Sequence, residues 1–320
     1  MVTFRRKNVD VPIVAITGGK GGTGKTTVAV NLAVGLDMEG LKVMLVDADV
    51  DGPCCATLLG VELETGDEVK TFRPVIDETR CVGCRKCVEV CHEHALIGLQ
   101  GETPRFFEEL CSGCKGCQLV CEHEVIRNGR KTIGTTYATN ANGIKLVVGE
   151  LKPTEPRSPV VARATVLRAI SELRDGEYDA AIIDTAPGVH NTVAQPLWVS
   201  DFALAVTEPT PLGAHDLRFI LDLARELELP MEIVLNKFDV PGGSKNELLS
   251  IGRERGIGIA AEIPMDDELL RSYISGEPLV KKFPNSPAAK ALFSLAQLVR
   301  NKLLEGGPDG ARTYRFRKDE

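Results

Sequence analysis

An octapeptide near the amino terminus, GKGGTGKT (19–26), constrains the fold more than any other segment of the chain. It fits the pattern G-x-x-x-x-G-K-[ST] and lies between a buried-strand pattern, VPIVAIT (11–17), and an apolar-periodic helix over about 25–39. In this context the pattern predicts a phosphate-binding loop, because its glycines let backbone N–H groups converge on phosphate oxygens at a helix amino terminus. The loop should lie at the carboxyl end of its strand.

The loop supplies most of the candidate nucleotide ligands. Lys25 should reach the β- and γ-phosphates, and the hydroxyl of Thr26 should bind Mg²⁺. The remaining nucleotide-binding candidates in this segment are Gly19, Gly21, Gly22, Thr23, Gly24 and Thr27.

Alternating strand and helix patterns indicate the fold of most of the chain. Strand patterns recur at 42–49, 180–185, 202–208, 232–239 and 259–264, and helical patterns at 158–174, 214–228, 244–255 and 286–304. This order predicts an α/β fold, a mostly parallel sheet with helices on both faces. No apolar run approaches the roughly 20 residues of a membrane-spanning helix, so we expect none.

Eight of the ten cysteines form two copies of one motif, C-x₂-C-x₂-C-x₃-C, which start 30 residues apart at Cys81 and Cys111. The spacing is typical of bacterial-type ferredoxins with two [4Fe–4S] clusters, in which the fourth cysteine of each run binds the other cluster. The predicted ligands are Cys81, Cys84, Cys87 and Cys121 for one cluster, and Cys91, Cys111, Cys114 and Cys117 for the second. Zinc is the alternative, although zinc sites usually pair two CxxC units across a longer gap.

The cysteine-rich segment interrupts the strand–helix alternation and therefore predicts an inserted module. We place the α/β domain at 1–68 and 135–306, a small α+β ferredoxin domain at 69–134, and a flexible tail at 307–320. The formal net charge of −7 argues against a broad basic surface for nucleic acid. Because no signal-peptide pattern is present and the cysteines look like metal ligands, we expect a cytoplasmic protein.

The additional lysine of the loop, Lys20, makes GGKGGTGKTT similar to the deviant Walker A signature KGGxGKT. That signature defines the MinD/ParA/Mrp/nitrogenase-iron-protein class of P-loop ATPases. Over about 11–300 the chain resembles MinD-superfamily ATPases with an inserted ferredoxin domain. The resemblance implies slow, partner-stimulated hydrolysis of ATP to ADP and phosphate, with Lys20 crossing a dimer interface to contact the partner's nucleotide.

Two further segments carry the resemblance and supply acidic residues. VDADVDGP (46–53) is similar to the switch I segment of the class, which implies that Asp49 positions the attacking water and Asp47 lies close to the Mg²⁺ shell. IIDTAPG (182–188) is similar to Walker B and switch II, which implies that Asp184 holds Mg²⁺ through water and Gly188 senses the γ-phosphate. The catalytic set is therefore Lys20, Lys25 and Asp49, and the magnesium set is Thr26, Asp47 and Asp184.

The base-binding residues are assigned by resemblance alone. Asn236 falls where the class recognises adenine, and Pro264 falls where its backbone contacts the base. The sequence N-K-x-D from Asn236 also resembles the guanine motif of GTPases, so we favour ATP while GTP stays open. Asp216 falls where relatives place an acidic residue near the signature lysine. Cys54 and Cys55, directly after switch I, are either small packing residues or thiols at a dimer interface.

Three functions remain open at this stage. We favour a dimerisation switch that couples MgATP hydrolysis to electron transfer through two [4Fe–4S] clusters. The first alternative is an assembly or carrier ATPase for iron–sulfur or other metal–sulfur clusters, as in the Mrp branch, although the chain lacks the carboxyl-terminal CxxC typical of that branch. The second alternative is a MinD/ParA-like positioning or cell-division ATPase.

The expected partners follow from the same resemblance. We expect an ATP-dependent homodimer, or a heterodimer with a paralogue, and a redox or metal-cluster partner protein. We expect neither nucleic-acid binding nor stable membrane binding, because the glycine-rich tail with mixed charges is not a basic amphipathic helix.

Overall fold

The computed structural model describes the backbone of residues 9–310 and the side chains of residues 9–304. The chain divides into two compact units. The first comprises the residues up to Asp67, Thr136–Leu151, and the residues from Ser158 onward. The second comprises Glu68–Thr135 and Lys152–Arg157.

Eleven strands and eleven α-helices are formed by the described residues. The strands are β1 (Ile13–Thr17), β2 (Val43–Ala48), β3 (Gly66–Ile76), β4 (Leu96–Ile97), β5 (Arg105–Phe106), β6 (Ile126–Ala141), β7 (Ile144–Leu151), β8 (Ala180–Thr185), β9 (Phe202–Thr207), β10 (Met231–Asn236) and β11 (Ile259–Ile263). The helices are α1 (Lys25–Met38), α2 (Cys55–Leu58), α3 (Lys86–Glu89), α4 (Gly116–Leu119), α5 (Ser158–Asp175), α6 (Asn191–Val199), α7 (Pro211–Glu226), α8 (Lys245–Glu254), α9 (Glu268–Ser275), α10 (Leu279–Lys282) and α11 (Pro287–Gly310).

A nine-stranded sheet has the order β11-β10-β9-β1-β8-β2-β7-β6-β3. The seven strands from β11 to β7 are mutually parallel. An Asn142–Gly143 turn with positive φ at both residues joins β6 to β7, as a two-residue hairpin requires. The predicted mostly parallel α/β fold is therefore confirmed. Strands β3, β6 and β7 were missed because they flank the cysteine motifs and do not belong to the strand–helix alternation.

The sheet has a buried core on each face. Along β1, Val14 and Ile16 pack with α1 and α11, whereas Ala15 packs with α6, α7 and α8, because successive strand side chains point to opposite faces. Helices α1 and α11 approach so closely that a Cβ on Gly35 would lie 2.8 Å from the Cβ of Ala296. Helices packed on both faces therefore hold the strands, and with them their carboxyl ends.

The second unit has a small core of its own, to which Phe72, Leu96, Val125 and Ile126 contribute with Cys87 and Cys117. Strands β4 and β5 pair antiparallel. Positive φ angles recur at three pairs of positions 30 residues apart: Gly83 and Gly113, Arg85 and Lys115, and His94 and Glu124. The repeat seen in the sequence is therefore also a repeat of backbone conformation.

The domain boundaries of the structure differ slightly from those expected. Residues 152–157, which we placed in the α/β domain, group with the second unit. Helix α11 extends to Gly310 and so includes four residues of the expected tail, because a helix propagates readily from turns that are already packed. Residues 311–320 of that tail lie outside the described residues. Within the described part of the chain, the helices are too short or too polar to span a membrane.

Candidate functional site: a phosphate loop and a buried acidic cluster

The phosphate loop connects β1 to α1. Gly22 and Gly24 have φ angles of 81° and 94°, in the left-handed region that glycine adopts without strain. No side chain caps the amino terminus of α1, so its first N–H groups remain available to an anion. The backbone therefore fits the phosphate-binding role predicted from the sequence.

Neighbouring elements hold the loop in place. A Cβ on Gly19 would lie 2.1 Å from the Cβ of Asp216 on α7, so the loop permits no side chain there. A Cβ on Gly24 would lie 2.2 Å from Nδ2 of Asn236. That amide donates a 2.7 Å hydrogen bond to the carbonyl of Thr23. The structure thus brings Asn236 and Asp216 to the loop, with Asn236 supporting its backbone.

Lys25 lies in the interior of the site. The residue is buried, with an exposed fraction of 5%. Its ammonium donates to the carbonyl of Lys20 over 2.9 Å. Burial lowers the pKa of Lys25, although the charges of Asp184 and Asp49 raise it in part. An anionic phosphate would stabilise the charged ammonium further.

Lys20 is engaged by a residue that the sequence did not single out. Its ammonium lies 2.5 Å from Oε1 of Glu208, which follows β9 directly. Lys237 reaches the other oxygen of Glu208 over 3.3 Å and donates to the carbonyl of Gly22 over 3.0 Å. Burial raises the pKa of Glu208, but hydrogen bonds from Lys20 and Lys237 with their charges lower it overall. The available sequence signal was the position of this acid directly after the predicted strand at 202–208; the placement of that strand beside β1 comes from the structure.

Asp47 and Asp184 are placed side by side by the register of the sheet, in which they are Cα partners on β2 and β8. Oδ2 of Asp47 accepts hydrogen bonds from the N–H groups of Cys54 and Cys55, each at 2.9 Å. Its Oδ1 accepts from the N–H of Asp49 over 3.2 Å. Oδ1 of Asp184 is buried with no hydrogen-bond partner. The three predicted aspartates therefore share one cluster, and Cys55 joins it.

The cluster carries more negative charge than its burial favours. Burial raises the pKa of Asp47 to about 6, against the N–H groups that stabilise its charge. Burial and the charge of Asp47 raise the pKa of Asp49 to about 6. Burial, followed by the negative charge of Asp47, raises the pKa of Asp184 well above its usual value. A hydrogen bond from Thr26 and the positive charge of Lys25 oppose this shift. A divalent cation would relieve this repulsion, so the donor set fits a magnesium ion.

The other predicted residues lie around the same edge of the sheet. Gly188 has a φ of 94° and its N–H donates to the carbonyl of Gly18 over 3.1 Å, which ties the switch II segment to the loop. Thr27 hydrogen-bonds through its hydroxyl to Tyr273, a residue missed in the sequence. Pro264 follows β11, where the carbonyl of the preceding Ile263 accepts from the N–H of Phe238.

The eight repeat cysteines line two separate cavities in the second unit. One cavity, of about 20 Å³, is lined by Cys81, Cys84, Cys87 and Cys121. The other, of about 230 Å³, is lined by Cys91, Cys111, Cys114 and Cys117. The structure thus brings together the same two sets of four that the crossed spacing predicts. Cys114 is exposed, whereas Cys87 and Cys117 are buried.

Comparison with known proteins places this geometry in a family. The CobQ/CobB/MinD/ParA nucleotide binding domain matches residues 14–279. An uncharacterized protein of Methanocaldococcus jannaschii is 33% identical over 85% of this chain and 93% of its own length. An iron-sulfur cluster carrier protein of Pyrococcus horikoshii is 27% identical over 93% of this chain and 89% of its own.

A solved structure shares the fold. The septum site-determining protein MinD of Pyrococcus horikoshii, complexed with Mg-ADP, has a TM-score of 0.60 and 20% identity, and the match covers 93% of this chain and 98% of that one. The family match extends over most of the chain and includes the phosphate loop and the acidic cluster. The chain therefore belongs to the CobQ/CobB/MinD/ParA family and is a P-loop ATPase of the MinD/ParA type.

Proposed function

We propose that this protein is an iron–sulfur cluster carrier ATPase, in which the second unit holds [4Fe–4S] clusters and the ATPase unit controls their delivery. The observation that carries the proposal is that each of two cavities is lined by four cysteines, while the same chain has a P-loop ATPase site. The carrier proteins among its relatives support it. The chain has no cysteine after Cys121, so a carried cluster has its ligands mainly in 81–121.

The second cysteine set is the better candidate for delivery. Its cavity has the larger volume of the two. Cys114 is an exposed member of the set, so the thiolate of an acceptor protein could replace Cys114 as a cluster ligand. Burial, followed by the charge of nearby Cys111, raises the pKa of Cys117 to about 11. Cys117 without a cluster therefore keeps its thiol proton at neutral pH, and cluster binding must release that proton.

The nucleotide half of the proposal follows the sequence assignments. Thr26, Asp47 and Asp184 would hold Mg²⁺, which neutralises charge on the β- and γ-phosphates. Lys25 binds those phosphates, and Asp49 orients the attacking water. Gly188, Pro264 and Asn236, the last through its support of the loop, complete the set that we assign to nucleotide binding, and ATP is the preferred nucleotide.

Dimerisation gives the ATPase a way to act as a switch. Within one chain Lys20 is paired with Glu208, so reaching a partner's nucleotide requires that this ion pair open. We propose that MgATP binding opens the Lys20–Glu208 ion pair, so that Lys20 contacts the partner's nucleotide and a homodimer, or a heterodimer with a paralogue, forms. Hydrolysis then separates the subunits and changes the affinity for the protein that accepts the cluster.

Cluster delivery can be tested directly with anaerobically purified protein. About eight iron atoms per chain are expected from two cubanes. The loaded protein is mixed with an apo [4Fe–4S] enzyme whose activity reports cluster arrival, with MgATP, with MgADP or without nucleotide. We expect a transfer rate that depends on nucleotide. Zinc in place of iron, or iron that never leaves the loaded chain, would contradict the proposal.

Nucleotide-gated electron transfer is a second candidate. The spacing C-x₂-C-x₂-C-x₃-C, which is that of two-cluster ferredoxins, favours it. Redox titration followed by EPR, with and without MgADP or an MgATP analogue, separates the two. A nucleotide-dependent shift of about 60 mV, a tenfold change in a one-electron equilibrium, without cluster release would favour electron transfer.

A further inference from the structure

We propose that Asp47, Cys55 and Asp184 form a binding site for a thiophilic divalent metal, such as Zn²⁺, that overlaps the position of Mg²⁺. The site contains none of the eight repeat cysteines, and its chemistry differs from cluster binding. It would make nucleotide hydrolysis sensitive to transition metals. This inference rests on side-chain geometry near the nucleotide loop. It does not depend on whether the second unit binds iron, because the iron content is measured separately.

The three side chains already have a spacing close to that of metal ligands. One ligand atom from each lies within 4.8 Å of the other two. Sγ of Cys55 is 3.9 Å from Oδ2 of Asp184. Around a tetrahedral Zn²⁺ with its usual Zn–S and Zn–O bond lengths, the ligand atoms are about 3.6 Å apart. The Cys55–Asp184 pair therefore needs to close by only a few tenths of an ångström, and the distances that involve Asp47 need to close by at most about 1 Å.

Burial makes this arrangement unusual for a purely structural cluster. Cys55 and Asp47 are fully buried, and Asp184 is 1% exposed. Oδ1 of Asp184 has no hydrogen-bond partner, so the carboxylate retains an unused acceptor in the interior. Buried polar atoms are normally satisfied, and bound ions are one way to satisfy them. An apolar side chain at position 55 would fill the same space without placing a sulfur between two carboxylates.

The thiol determines which metals the site prefers. Magnesium is bound through oxygen and gains nothing from sulfur. Thiolate ligands instead select zinc and iron, and a mixed sulfur–oxygen set suits both. On binding, the Cys55 thiol releases its proton to solvent and forms a metal–sulfur bond, so a dication meets three negative ligands. No change of oxidation state occurs.

Competition with magnesium follows from the shared ligands. Asp47 and Asp184 belong to both the proposed zinc site and the predicted magnesium set. Occupancy by Zn²⁺ therefore excludes Mg²⁺ from the catalytic position and lowers the hydrolysis rate. Backbone N–H groups already orient Asp47 through Cys54 and Cys55, which fixes its carboxylate beside the thiol.

Zinc-edge X-ray absorption on the full, cluster-loaded chain tests the site, because the iron of the clusters does not contribute to the zinc edge. With one equivalent of Zn²⁺ we expect a shell of oxygen ligands plus one sulfur at about 2.3 Å. Cys55→Ser should remove the sulfur and weaken zinc binding at least tenfold in equilibrium dialysis. Cys54→Ser, which alters the adjacent exposed thiol, is the matched control and should retain both properties.

Two outcomes would overturn the proposal. One is an unchanged sulfur shell in Cys55→Ser, and the other is a shell of several sulfurs, which would place the zinc on the repeat cysteines. Should Cys55→Ser fail to fold, competition in the unmodified chain decides. Excess Mg²⁺ with ADP should release the bound zinc, and zinc retained under those conditions would contradict a shared site.

Discussion

The hydrogen bond from Asn236 to the phosphate loop gives a quantitative prediction. Asn236 is 6% exposed, and its Nδ2 donates to the carbonyl of Thr23 at 2.7 Å. Thr23 is itself buried. In Asn236→Ala that carbonyl loses its partner, which costs about 1–3 kcal/mol for a buried acceptor left unsatisfied. The free energy of unfolding should fall by this amount, as measured by urea denaturation.

The same change should weaken nucleotide binding. Because the loop loses a contact that holds its backbone, part of the loss appears as a cost of ordering the loop around phosphate. Because only part of the roughly 1–3 kcal/mol appears in binding, affinity should fall by no more than about 5- to 150-fold. Since the lost contact touches the loop, affinities for MgATP and MgGTP should fall by the same factor, which isothermal calorimetry can measure.

Asn31→Ala is the matched control. Asn31 is also buried, donates to the carbonyl of Thr27 at 2.8 Å, and accepts from the N–H of Val280 at 3.0 Å. It should lose at least as much stability, because two hydrogen bonds are removed, while keeping nucleotide affinity within a few fold. A selective loss of ATP over GTP in Asn236→Ala would refute loop support in favour of base recognition. Unchanged stability would refute the energetic argument itself.

Three further predictions concern the phosphates, the acidic cluster and the cysteines. Lys25→Ala should abolish nucleotide binding in calorimetry, whereas Lys20→Ala should bind nucleotide yet lose hydrolysis that depends on dimer formation; wild-type turnover in Lys20→Ala would contradict the role of the signature lysine. Because the pKa of Asp49 is raised to about 6 in the folded, nucleotide-free chain, the folded state binds the proton more tightly than the unfolded state, and stability falls as pH rises from about 4 to about 6. Asp49→Asn should therefore unfold at a higher temperature than wild type at pH 8, with the difference vanishing near pH 4; a difference independent of pH would refute the assignment. Cys114→Ser should retain about four iron atoms per chain instead of about eight and lose cluster transfer, while Cys54→Ser should keep both; equal iron content in the two variants would remove Cys114 from the ligand set.

The sequence alone favoured electron transfer as the function, whereas we now propose a cluster carrier. The cysteine spacing favoured electron transfer because ferredoxins use the same motif. The absence of a carboxyl-terminal CxxC counted against a carrier. The structure groups four cysteines around each of two cavities, and relatives named as cluster carriers match more than nine-tenths of the chain. We therefore propose that the inserted cysteines supply the ligands that the missing motif would have provided.

Local sequence determined the phosphate loop, the central parallel sheet and the repeat of the cysteine module. The glycines of 19–24 and the alternation of strands and helices express conformational preferences over short distances, so they are legible without a structure. The positive φ angles at Arg85 and Lys115 were not predictable in the same way, because neither residue type favours that region.

Tertiary structure alone decided which distant residues meet at the site. Glu208 and Lys20 are 188 positions apart, and their ion pair exists because β9 lies next to β1 in the sheet. Likewise Cys55 reaches Asp184 only because β2 and β8 are neighbours in register. Strand order and register depend on the packing of the whole core rather than on any local preference. The sequence therefore predicts the chemistry of the nucleotide loop, while the sheet determines the contacts that hold the loop in place.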